Sequence, residues 1–98
     1  MTAYAIGYFT VWDESWSEGG YGAEVAKLIE KHGGRYLAFA GDTEALEGAP
    51  AVPDALVVIE FPDMAAARAW YNDPDYAPFI ERRNTGSKAD ILLVDGAF

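Results

Sequence analysis

Cysteine is missing from the 98 residues, and with it go disulfide frameworks, thiolate nucleophiles and zinc sites built on sulfur. A single histidine, His32, is too few for the multi-histidine metal centres of hydrolases and oxygenases. Neither a metal nor an organic cofactor is expected. Basic residues are scarce as well: seven Lys and Arg stand against sixteen Asp and Glu, a net charge of −9. Nucleic-acid binding takes most of its affinity from cations that neutralise phosphates, so this balance argues against such a partner. No apolar run approaches the ~20 residues that span a bilayer, and the opening MTAYAIGYF lacks the positive charge of a secretory signal. A cytoplasmic protein that binds neither nucleic acid nor membrane is the expectation. Repeats, low-complexity tracts and linkers are absent too.

What is present is apolar. Hydrophobic residues make up 51% of the chain and aromatic ones 14%, far above the composition of a disordered segment. The length fits one domain over residues 1–98, since domains typically run about 100–150 residues. A chain this short buries roughly 60–65% of its unfolded surface, which permits only a shallow core.

Periodicity divides the chain into elements. Tyr4 to Val11 reads as a strand, rich in β-branched and aromatic residues. Trp12 to Gly22 is broken by glycines and reads as loop or irregular helix entry. From Tyr21 the spacing becomes helical, with Tyr21, Val25, Leu28 and Ile29 on one face and Glu24, Lys27 and Lys31 outside. Gly33-Gly34 supplies a left-handed stop. Arg35 to Gly41 is a second strand, residues 42–54 a turn-rich connection, and Ala55 to Phe61 a third strand. Asp63 is placed to cap a helix over Met64 to Tyr71. Pro74 excludes its continuation, and Pro78 suits the first turn of a helical segment running from Phe79 to about Thr85. Ile91 to Val94 closes the chain as a fourth strand. The order β-α-β-β-α-β predicts an α+β, ferredoxin-like fold: a four-stranded antiparallel sheet with its helices on one face.

A sheet with one wet face should alternate apolar and polar residues. Here Leu56 and Val58 oppose Val57, Ile59 and Phe61, while Tyr4, Ile6 and Tyr8 oppose Ala5, Phe9 and Val11; Ile91 to Val94 does not alternate at all. Both faces therefore read as buried, although the helices suffice for one. A second copy of the same sheet is the simplest cover, because two-fold interfaces are self-complementary and common. A homodimer with its sheets face to face is expected.

No compact catalytic motif appears: no Gly-x-x-x-x-Gly-Lys, no Gly-x-Gly-x-x-Gly and no Gly-x-Ser-x-Gly. Gly19-Gly20-Tyr21-Gly22 precedes a helix but lacks the lysine of a phosphate loop. His32 ends the first helix, where a cation is favoured by the helix dipole; a general acid or base is its other reading, since histidine titrates near neutral pH. Glu60 shares a strand face with Leu56 and Val58 and calls for solvent, an arginine partner or a shifted pKa. Arg83 lies seven positions after Tyr76, so the two point the same way on a continuous helix; Arg83 is expected inward, holding an acid or an anionic ligand, and Arg82 outward. The aromatics, among them Trp12, Trp16, Tyr21, Tyr36, Trp70, Tyr71 and Tyr76, mostly build core. Their polar tips want partners when buried, so several are candidates to line a pocket of the mixed character that small-molecule sites have.

The stretches Lys31-His32-Gly33-Gly34-Arg35-Tyr36-Leu37-Ala38, Leu46-Glu47-Gly48 and Val57-Val58-Ile59-Glu60-Phe61-Pro62 occur together with Ala66-Ala67-Arg68-Ala69-Trp70-Tyr71, Pro74-Asp75-Tyr76 and Val94-Asp95-Gly96. In this combination the chain resembles a bacterial family named only as domain of unknown function 1330. The resemblance implies a ferredoxin-like fold in the dimeric α/β-barrel superfamily, which includes antibiotic-biosynthesis monooxygenases, muconolactone isomerases and ligand-sensing domains. It maps onto Asp13, Tyr21, Glu47, Tyr76 and Arg83. The chain departs from the family pattern at Leu37-Ala38-Phe39-Ala40-Gly41, which lacks an arginine, at Asp73-Pro74-Asp75-Tyr76, and at Gly19-Gly20 before the first helix. Two functions follow as expectations. One is a dimer that binds a small organic metabolite between sheet and helices through Tyr21, Tyr36, Trp70, Tyr76 and Arg83. The other is a cofactor-independent enzyme, monooxygenase- or isomerase-like, with Tyr76 as acid, Arg83 as anion holder and His32 or Asp13 as base. The lack of a catalytic motif favours binding.

Overall fold

A computed structural model describes residues 2–96 of the chain. Four strands, β1 (Ala3–Val11), β2 (Arg35–Phe39), β3 (Ala55–Phe61) and β4 (Ser87–Asp95), form one antiparallel sheet in the order β2-β3-β1-β4. Helices α1 (Tyr21–Lys31), α2 (Met64–Tyr71) and α3 (Ala77–Arg83) accompany it, with a short 3-10 turn at Ser15–Ser17. This is the ferredoxin-like α+β arrangement. No helix among the described residues is long and apolar enough to cross a membrane.

Local chemistry sets the element ends. Gly20, at φ 82°, starts α1, and Gly33, at φ 79°, ends it while the Gly34 amide donates to the Ile29 carbonyl at 2.9 Å. Only glycine adopts such φ values without steric cost. The four residues predicted to face inward from α1, Tyr21, Val25, Leu28 and Ile29, are the four that are buried. Asp63 caps α2 by accepting from the Ala66 amide at 2.7 Å. Those side chains meet Ala5 of β1, Ile59 and Phe61 of β3, and Ala67 and Trp70 of α2 in one core.

β1 starts one residue early, at Ala3, and three other elements differ more from the limits expected from sequence. β2 stops at Phe39 because Ala40 turns to φ 51°. α3 begins two residues early, with Pro78 inside its first turn as its fixed φ allows. β4 is nine residues long rather than four and pairs with β1 from Val11–Ser87 to Ala3–Asp95. Its first half, Ser87-Lys88-Ala89-Asp90, is a strand by partnership, with no apolar signal of its own. The second face of the sheet is bare: Leu92 is 57% exposed and Val94 47%.

Candidate functional site

Between the helix-facing side of the sheet and α1 lies a cavity of about 400 Å³. Its floor is β1 and β3, with Gly7, Phe9, Val57 and Ile59. Tyr36 and Phe39 of β2 form one wall; Trp16, Tyr21 and Val25 form the roof; Trp70, Tyr76 and Arg83 close the back. The rings interlock. Trp16 and Tyr21 meet edge to face at 5.0 Å, Tyr21 and Phe79 at 5.7 Å, and Trp70 and Tyr76 stack at 4.8 Å. Offset and edge-on contacts of this kind are the favoured aromatic geometries.

Arg83 ends α3 two turns after Tyr76, and its Nη1 donates to the Tyr76 hydroxyl at 2.9 Å. The guanidinium lies 5.6 Å from the Phe9 ring centre. Arg83 is only 4% exposed, and no carboxylate among the described residues comes within ion-pair distance of it. Its Nε is buried without a partner, as are the indole nitrogens of Trp16 and Trp70. Burial pushes the Tyr21 and Tyr36 hydroxyls up to about 12, and it raises Tyr76 against the opposing pull of Arg83. At neutral pH the cavity therefore holds protonated hydroxyls and one fixed cation.

Tyr21, Tyr36, Trp70, Tyr76 and Arg83, the five residues singled out from sequence for a pocket, thus border one cavity. His32 and Asp13 do not border it. His32 Nε2 sits 2.8 Å from Asp73 Oδ2, and Lys31 Nζ reaches the same oxygen at 2.8 Å. Asp73 is 8% exposed, and its other oxygen accepts from the Asp75 amide at 2.9 Å. The cluster ties the end of α1 to the turn between α2 and α3. The Asp13 carboxylate is exposed and accepts from the Ser15 amide at 3.0 Å, a bond that holds its pKa below the ordinary value. Glu47 lies on the exposed connection between β2 and β3. Glu60 meets Arg35, its cross-strand neighbour, at 3.4 Å. Arg82 does not simply face solvent: it lies 5.7 Å from the Tyr21 ring centre and donates to the Glu18 carbonyl.

Two wall residues were not foreseen. Phe39 lies an odd number of residues from Tyr36, so plain alternation sets them on opposite faces. A register shift between Tyr36 and Ala38 brings both to the cavity side, with ring centres 5.0 Å apart. Phe9 shares its strand face with Ala5 and Val11, and all three border the cavity. A second cavity of about 350 Å³ lies behind the back wall, beside Arg68, Asn72 and Asn84, and shares Trp70, Arg83 and Ile91 with the first.

A family model described as domain of unknown function, DUF1330, matches residues 2–97. The chain belongs to the DUF1330 family. No curated protein matches this member. Among solved structures it is similar to the RPA0582 protein of unknown function from Rhodopseudomonas palustris, with a TM-score of 0.75 and 16% identity over 99% of this chain and 83% of that one. It is also similar to a dimeric ferredoxin-like protein of unknown function from Jannaschia sp. CCS1, with a TM-score of 0.71 and 12% identity over 98% of this chain and 100% of that one. A third match is SnoaB, a cofactor-independent oxygenase from Streptomyces nogalater, with a TM-score of 0.65 and 17% identity over 99% of this chain and 94% of that one. At these identities the likeness is one of fold.

Proposed function

We propose that this DUF1330 protein is a homodimer in which each protomer binds a small, mostly apolar organic molecule in the cavity under α1. The observation that carries the reading is the cavity itself: about 400 Å³, walled by aromatic and aliphatic side chains, with a few buried polar atoms at its back. Small-molecule sites have this size and this balance. Dimerisation is supported by the bare sheet face, where Ile6 is flanked by Val58 of β3 and Leu92 of β4, and by the dimeric relative from Jannaschia. A metabolite library screened by thermal shift tests the binding, since a ligand at ~100 times its dissociation constant adds about 2.7 kcal/mol. Val57→Phe, which projects a ring from the floor into the empty space, is expected to leave the fold intact and remove every stabilising hit. Hits that persist in this variant place binding elsewhere.

The catalytic alternative leans on SnoaB, which is described as a cofactor-independent oxygenase. A general base in an enzyme is most often His, Asp or Glu held within reach of the substrate. None of the described residues lining the cavity is His, Asp or Glu, so binding is the reading adopted here.

A further inference from the structure

Arginine is the one cation that a protein cannot neutralise by deprotonation, and burying a charge is costly unless it is paired. Arg83 is 4% exposed, has no carboxylate partner among the described residues, and keeps a buried Nε with nothing to donate to. The groups around it satisfy it only in part. Tyr76 supplies one hydroxyl oxygen and Phe9 the face of a ring. Elsewhere around the cavity the indole N–H groups of Trp16 and Trp70 are unmatched donors, and the Tyr21 hydroxyl, close enough to Arg83 to feel its charge, can donate as well as accept. A cation in a cavity with spare donors is complementary to an anion, and the rest of the wall is complementary to hydrocarbon.

We infer that the cavity selects a flat organic acid, with its carboxylate or equivalent anion on the Arg83 guanidinium and its apolar body between Tyr21, Tyr36, Phe39 and Val57. This deepens the binding reading above and rests on it. The planar fork of arginine donates two parallel hydrogen bonds to a carboxylate, and Arg83 borders the cavity with only its Nη1 engaged, on the Tyr76 hydroxyl. The high pKa of the buried tyrosines acts in the same sense, because hydroxyls that stay protonated add no competing negative charge.

The test compares 1-naphthoate with its neutral amide, 1-naphthamide, by calorimetry on the full chain at pH 7. The acid is expected to bind at least about tenfold more tightly, the scale of a charge-assisted hydrogen bond in a dry site. Arg83→Met keeps length and apolar volume and is expected to bring the two affinities together. In the unmodified protein the Arg83 Nε–H resonance, seen by proton–nitrogen NMR, is expected to shift with naphthoate and not with naphthamide, which decides the matter even if the variant does not fold. Equal affinity for acid and amide, or an acid preference that survives Arg83→Met, overturns the anion assignment while the cavity reading stands. A failure of both compounds to bind removes the cavity reading, and this inference with it.

Discussion

Asp73 gathers three bonds at the junction of α1 with the turn between α2 and α3. Lys31, His32 and the Asp75 amide all bond to it, and together they hold its pKa well below the usual carboxylate range. A carboxyl whose folded pKa is depressed stabilises the protein above its unfolded pKa, near 4, and loses that contribution as pH falls toward the folded value. Asp73→Asn is therefore expected to be less stable than the parent at pH 7, with the gap closing below about pH 4. Urea midpoints across that range measure it, and a gap independent of pH would show that the charge is not what matters. Gly86 is a second residue with no substitute. Its carbonyl accepts from the Trp12 and Asp13 amides, and a Cβ there would run into the Asp13 carbonyl and the Trp16 ring. Backbone cannot give way as a flexible side chain does, so Gly86→Ala is expected to cost roughly 1–3 kcal/mol or more, read from the same denaturation curves.

Among the elements, β3 was the most legible and β4 the least. Ala55 to Phe61 alternates between two apolar faces, and its observed limits are those read from sequence. The α1 face and the Asp63 cap were equally plain, because both depend on neighbours within one or two turns. The first half of β4 was not, since Lys88 and Asp90 point outward and only pairing with β1 makes the segment a strand. The cavity shows the same division. Tyr76 and Arg83 were linked by helical spacing, whereas Phe39 depended on a register shift that alternation cannot reveal. His32 was drawn to the site by residue type and Asp13 by family resemblance, whereas His32 meets the Asp73 carboxylate and Asp13 the Ser15 amide. β3 also gives the sharpest test of the two faces. Val57 lines the cavity, and Val58, opposite Ile6, lies on the bare face. Val58→Asp is expected to give a folded monomer by sedimentation. Val57→Asp places an unpaired charge on the cavity floor and is expected to lower stability by about 3–5 kcal/mol without changing the oligomeric state of the molecules that remain folded. Two unfolded variants would count against separate roles for the faces.

At the scale of the whole molecule the protomer is a slab, 35 × 31 × 17 Å, two layers thick and finished on one side only. Its thin dimension follows from a sheet with helices on one face, and a second slab on the bare face would restore a closed interior. Sedimentation of the parent protein at micromolar concentration is expected to show the dimer, and a monomer alone would remove that proposal. The distribution of indoles has an optical consequence. Of the three tryptophans, Trp16 and Trp70 line the cavity, while Trp12 is 65% exposed. Replacing Trp12 with Phe would strip away the solvent-facing emission and leave two emitters, each with its ring bordering the same chamber. The protein would then report occupancy by its own ultraviolet glow, through a blue-shifted or quenched band, with no dye attached.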